Sequence, residues 1–131
     1  MLSKEKYTFL LIRAALGLVF LIFGIDKFFN SVYWASWIPE TLLNLIPFSV
    51  GMFISLLGII EVILGLFLLI GFFIRITSIF IILHLVGVIF SIGYSDTAVR
   101  DFALLLIAIS LLFVSEHPLS IDTHLKNKKK K

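Results

Sequence analysis

One carboxylate in the middle of a long apolar run limits what this chain can become. Within residues 48–74, Glu61 is the sole ionisable side chain and stands at the centre. At about 1.5 Å rise per residue the run makes roughly 40 Å of helix, more than the ~30 Å hydrocarbon core of a bilayer needs. The helix is therefore tilted or its ends emerge, and Glu61 lies near the membrane midplane either way. Inserting an acid there costs on the order of 3 kcal/mol or more, so its surroundings must neutralise, pair or wet it. Gly51, Ser55, Gly58, Glu61 and Gly65 step by 4, 3, 3 and 4 along the helix. That places the carboxylate beside a stripe of small residues, the mark of a close helix neighbour. Glu61 is expected to face protein, with partners on other helices.

The rest of the chain agrees with a membrane setting. Of 131 residues, 60% are hydrophobic and 14 are Phe, and the mean hydropathy is +1.14. No fold of this size has enough interior to hide that much apolar surface from water, so the chain reads as an all-α integral membrane protein of one domain. With no cysteine, thiol–disulfide exchange within the chain, thiolate metal sites and iron–sulfur clusters are excluded. No metal-binding helix motif, phosphate-binding glycine loop, nucleophile elbow or nucleic-acid signature is present, so neither a metal nor a nucleic-acid partner is expected.

Four spans are expected, at about 7–28, 48–74, 76–92 and 100–115. The first follows a basic start but lacks a small-residue cleavage pattern after Gly24, so it reads as a retained span rather than a signal peptide. Its Arg13, Gly17, Phe20, Gly24 and Lys27 step by 4, 3, 4 and 3, and so share one helix face. The connection 28–47 holds both tryptophans, Trp34 and Trp37, and reads as an interfacial belt or a lid, with a short helix beginning at Pro39-Glu40 and ending before Pro47. Ser95 or Asp96 can cap the fourth helix. Residues from Ser120 onward, ending in a basic tail at 126–131, read as solvated. Lys4, Lys6, Arg13, Arg75 and the tail lysines put positive charge at the termini and the second connection, whereas the first and third connections carry only Lys27 and Arg100. By the positive-inside rule the spans form an antiparallel four-transmembrane-helix bundle with both termini cytoplasmic.

These residues resemble the DoxX family of small membrane proteins. Arg13-x3-Gly17-x2-Phe20-x3-Gly24-x2-Lys27 is similar to the family's first-helix pattern, and Gly58-x2-Glu61-x3-Gly65-x5-Gly71-x3-Arg75 to its second. Arg100-Asp101-x-Ala103-Leu104 and Ser120-x-Asp122 are similar to its last helix and tail. The resemblance implies a plasma (inner) membrane protein, some of whose relatives are membrane subunits of a thiosulfate:quinone oxidoreductase or members of quinone-stress complexes. It fixes a fold better than an activity.

The polar groups inside the spans form the candidate site. Glu61 either welds helices by pairing with Arg13 or Lys27, or serves as a hydrogen-bonding or proton-accepting group in a cavity. Lys27 either snorkels to water or turns inward to Glu61 or Asp101. Arg100 and Asp101 are adjacent, about 100° apart on a helix, so one of them, Asp101 by preference, faces the interior. His84 is either a packing histidine or a proton-coupled partner of Glu61. Intrachain haem is disfavoured because His117 and His124 lie beyond the last span, at the wrong depth for a second axial ligand. Arg13 and Arg75 read as charge anchors. Lys27, Glu61, His84, Arg100 and Asp101 are thus expected to line a pocket in the outer half, with Gly17, Gly24, Gly58 and Gly65 packing helices. The function expected is an accessory or quinone/quinol-binding subunit of a membrane redox system, with a redox partner protein as electron donor. A small-solute transporter and a purely structural subunit stand as alternatives, and whether the chain is an enzyme stays open. The glycine stripes also suggest a homo-oligomer or complex.

Overall fold

The computed structural model describes residues 3–114 and 117–129, which are helical with no strand. The expected end of the last span at Ser115, the stop signal at Glu116, and Lys130 and Lys131 lie outside them. The elements are α1 (Lys4–Phe29), α2 (Ser31–Ala35), α3 (Glu40–Leu43), α4 (Val50–Ile70), α5 (Ile74–Ile92), α6 (Asp96–Leu112) and α7 (Ile121–Lys129). Among the described residues, α1, α4 and α5 are long and apolar enough to cross a membrane.

Local chemistry sets the ends. The Ser49 hydroxyl accepts from Met52 N at 3.3 Å and opens α4. At its other end Gly71, with φ +72°, lets Phe72 N reach Phe67 O at 2.9 Å and Gly71 N reach Leu68 O at 3.2 Å, a Schellman closure. Ser95 caps α6 by accepting from Ala98 N at 3.1 Å. That helix starts at Asp96, with the expected cap at Ser95, so it has a polar first turn ahead of the apolar run from about residue 100. At 17 residues, α6 is shorter than the three candidate spans.

Polarity is inverted relative to a water-soluble protein. Arg13, Lys27, Glu61 and Asp101 are buried while Leu11, Phe80, Leu83 and Phe90 are exposed, the arrangement lipid demands. The helices pack as two close pairs, α1 on α4 and α5 on α6, with lighter contact between the pairs. The first pair is antiparallel, since Gly17 meets Gly65 and Gly24 meets Gly58. A Cβ at Gly24 would lie 2.8 Å from Gly58 O and Val62 N, and one at Gly65 would lie 2.7 Å from Gly17 O and Leu21 N. Backbones this close require glycine. Gly51 and Gly87 have open space where a Cβ would be, so the small-residue stripes extend past the contact they serve. Gly17, Gly24, Gly58 and Gly65 are used within the chain.

Apolar packing closes part of the space between the pairs. Leu16 and Phe20 of α1, Leu64 and Leu68 of α4, Ile81 and Leu85 of α5, and Leu105, Ala108 and Leu111 of α6 form one buried apolar cluster. It fills the region toward the α4–α5 turn.

The C-terminal segment folds back onto that turn, which corrects the expectation of a solvated end at Ser120 and Asp122, while residues 124–129 are exposed as expected. Ser120 is buried, and Asp122 accepts from Phe73 N and Ile74 N at 2.9 Å each, capping α5 from 48 residues away. Arg13 is no exposed anchor. It is buried and donates from Nη1 to Pro118 O at 3.1 Å and from Nη2 to Leu119 O at 3.0 Å. Its face carries it inward, and a guanidinium surrounded by apolar helices takes the nearest free carbonyls. A Cβ at Gly71 would collide with the Ser120 Cβ, so that glycine serves both the turn and the hook laid across it. His117 is buried beside this hook. Burial, reinforced by the Arg13 guanidinium, holds it below the ordinary histidine value of 6.5.

A pH dependence follows. His117 takes up a proton less readily in the fold than in the unhooked segment, so the hook's stability is complete above pH 6.5 and declines as pH falls below it. Amide exchange over residues 120–125, corrected for intrinsic rates, is expected to be faster at about pH 5.5 than at about pH 7.5. In His117→Phe the difference is expected to vanish; its persistence would assign the effect to another group.

Candidate functional site

The site begins where Gly24 and Gly58 bring the α1 and α4 backbones together. A Cβ at Gly58 would lie 3.2 Å from the Lys27 Cβ, so its absence lets the lysine stem cross toward α4. Lys27 then turns inward and its Nζ reaches Glu61 Oε2 at 2.6 Å, with both side chains buried. From α5, His84 Nε2 lies 2.8 Å from the other oxygen, Oε1. A carboxylate can only accept, so Nε2 carries the proton toward it. Glu61 thereby ties α1, α4 and α5 at one point midway along α4. Arg13, the other cation considered for Glu61, is committed to the C-terminal hook.

The connection after α1 is fastened over this point. Asp26 accepts from Trp34 Nε1 at 2.8 Å and from Asn30 Nδ2 at 2.5 Å. That holds α2 so that the Trp34 ring lies 3.6 Å from Lys27 Nζ, a cation–π contact on a buried ammonium. The aromatic connection is thereby fixed over Lys27. Asp26 was not among the expected site residues; the signal available was its place one residue before Lys27 and eight before Trp34, a spacing that becomes a contact only because the chain turns at Asn30.

On α6, Asp101 is buried and Arg100 is exposed. Arg100 bends back so that Nε and Nη2 both lie 2.8 Å from Asp101 Oδ1, and its guanidinium sits 4.6 Å over the Phe23 ring of α1. The pair spans the α1–α6 seam separately from the Glu61 cluster.

Both clusters open into one cavity of about 630 Å³, whose wall includes Lys27, Glu61, His84, Arg100 and Asp101 together. Apolar and aromatic side chains supply most of the remainder: Phe20 and Phe23 from α1, Trp34 and Trp37 from the aromatic connection, Phe53, Ile54 and Leu57 from α4, Val88 and Ile92 from α5. The volume falls in the range of small-molecule sites, and a few convergent polar groups in an apolar wall are their usual composition. Gly17 and Gly65 lie away from the cavity, in the α1–α4 seam. Among the described residues no group of three His, Cys, Asp or Glu is placed to hold a metal ion.

Fold and site together define a helical membrane protein with a cavity between its helices. The chain belongs to the DoxX family, whose family model matches residues 8–93. That stretch contains Lys27, Glu61 and His84, while Arg100, Asp101 and the C-terminal hook follow it. No curated protein and no solved structure matches the chain.

Proposed function

We propose that this DoxX protein binds the head group of a quinone or quinol in the cavity, as an accessory or quinone-binding subunit of a membrane redox system. In this reading α1, α4, α5 and α6 form an antiparallel four-span bundle in the plasma membrane with both termini cytoplasmic, and α2 and α3 close its outer mouth. The observation that carries the reading is the cavity itself: ionic and hydrogen-bonding groups converge at one end of a space otherwise walled by aromatic and aliphatic side chains. A flat, apolar ring with two oxygens fits such walls.

The residues divide the work. Lys27 Nζ, which keeps N–H bonds beyond the one given to Glu61, is the donor placed to hydrogen-bond a ring oxygen, and Glu61 positions both it and the His84 ring beside it. A bound quinone supplies a two-electron, two-proton couple. As the ring is reduced, the Lys27 ammonium would favour the negative charge arising on its oxygens, and the Lys27–Glu61–His84 chain would relay the protons that neutralise it. Asp101 and Arg100 line the far wall, and Trp34 excludes water above Lys27. Electrons come from a partner protein or a soluble reductant. A permeation pathway fits less well, because a buried apolar cluster around Leu16, Leu68, Ile81 and Leu111 lies between the helices that such a path would have to cross.

Titration of the detergent-purified protein with a short-chain benzoquinone, followed by thermal stability, tests this. At a hundredfold excess over Kd, binding raises stability by about 2.7 kcal/mol. His84→Gln, which leaves the Lys27–Glu61 pair in place, is expected to melt near wild type without ligand and to bind about tenfold more weakly, roughly 1.4 kcal/mol. Glu61→Gln is expected to weaken binding at least as much. Absence of any saturable shift in the wild type would remove the quinone reading, leaving the polar cluster as a helix weld.

A further inference from the structure

The cavity also shows how an amphiphile would reach it. On α5, His84, Gly87, Val88 and Ser91 share one face and all line the cavity, the i, i+3, i+4, i+7 pattern of a helix side. Yet Gly87 is exposed, and a Cβ there would have no atom within 4 Å. Leu83, one turn before it, is 62% exposed and lines the same cavity. A residue that faces both the cavity and the outside marks an opening in the wall. Helices α4 and α5 make only light contact, and both carry exposed apolar side chains, among them Leu56 and Ile60 on α4 and Phe80 on α5. An opening beside Gly87 between these helices is therefore bordered by surface suited to lipid acyl chains rather than to water.

We infer that Gly87 forms a lateral portal through which a ligand with a long apolar tail enters from the bilayer, its head seated at Glu61 and its tail leaving between α4 and α5. This rests on the quinone-pocket reading for the head group and adds the tail: the ligand class is a membrane-resident amphiphile such as an isoprenoid or alkyl quinone, and Gly87 is a specificity-determining position. Its lack of a side chain keeps the gap open, and it serves no packing need, since the space around it is empty. A leucine there is free to adopt helical rotamers, improves helix propensity and projects into the gap.

The test compares wild type with Gly87→Leu in lipid nanodiscs, using three probes: a tail-less benzoquinone, the same ring bearing a decyl chain, and a decyl-substituted phenol that has a hydrogen-bonding head and a tail but no quinone carbonyls. The expected result is that Gly87→Leu folds as wild type does, binds the tail-less ring within about twofold of wild type, and loses at least tenfold in affinity for both decyl probes. Gly87→Ala, smaller than the gap, is expected to retain most of the tailed binding. Equal binding of the decyl probes by wild type and Gly87→Leu, or an equal loss for tailed and tail-less probes, would overturn the portal while leaving the quinone reading standing. Failure of both quinones to bind wild type, with the phenol still bound and still sensitive to Gly87→Leu, would overturn the quinone reading and support the portal. Failure of all three probes on wild type would overturn both.

Discussion

Lys27→Met is expected to cost about 3–5 kcal/mol of stability, the largest single effect in the molecule, because it leaves a buried carboxylate without its cation. Glu61→Leu is expected to cost a similar amount by stranding the ammonium. Lys27 is 5% exposed and Glu61 6% exposed, with 2.6 Å between the charged atoms, so neither charge has water to fall back on. The double variant Lys27→Met/Glu61→Leu is expected to lose far less than the sum, with a coupling of roughly 2 kcal/mol or more. The reason is that the pair's net worth over an apolar pair is small, while the cost of breaking it is large. Unfolding by denaturing detergent, measured for both single variants and the double, checks this. Additive losses would mean that the two side chains act independently, and the contact between α1 and α4 would then rest on the glycines alone.

The glycines provide the second large effect, and its sign changes along the helices. Gly24→Ala, Gly58→Ala and Gly65→Ala each place a Cβ 2.7 to 2.8 Å from a facing backbone atom, so the two helices must separate. Each is expected to lose about 1–3 kcal/mol to overpacking, offset by at most about 1 kcal/mol of helix propensity. Gly51→Ala and Gly87→Ala meet nothing within 4 Å and are expected to be neutral or stabilising by up to about 1 kcal/mol. The same substitution thus has opposite consequences two turns apart on α4. Thermal or detergent unfolding of these five variants reads the difference. A loss at Gly87 as large as that at Gly24 would show that Gly87 packs against another molecule in the membrane.

Much of the site could be read along the chain because lipid makes polarity expensive. In an apolar span polar and charged residues tend to face protein, so Lys27, Glu61, His84 and Asp101 could be selected one by one, and the adjacency of Arg100 and Asp101 told that one of the two turns inward. Spacing told the face, and the face of Gly17, Gly24 and Lys27 on α1 is the one that meets Gly58, Glu61 and Gly65 on α4. Arg13 shares that α1 face, yet its partners are the carbonyls of Pro118 and Leu119, over a hundred residues away. A backbone carbonyl carries no sequence signature, so nothing local pointed to it. Asp122 was hidden for the same reason: its partners are the amide groups of Phe73 and Ile74, and among lysines it reads as solvated charge. Trp34 could be placed at a membrane interface by its chemistry, but its position over Lys27 depends on the Asp26 contact and the turn at Asn30.

The sequence by itself determined that this chain is helical, that it belongs in a membrane, and which side chains must avoid lipid, since those follow from composition and the 3.6-residue period. Only the tertiary structure decided which of those side chains meet. It assigned Lys27 rather than Arg13 to Glu61, spent four glycines on one internal seam while leaving Gly51 and Gly87 open, and folded the C-terminal segment back onto the α4–α5 turn. The reason is physical: periodicity specifies a direction around each helix axis, whereas contact also requires the register and distance between helices, which are set by packing of the whole.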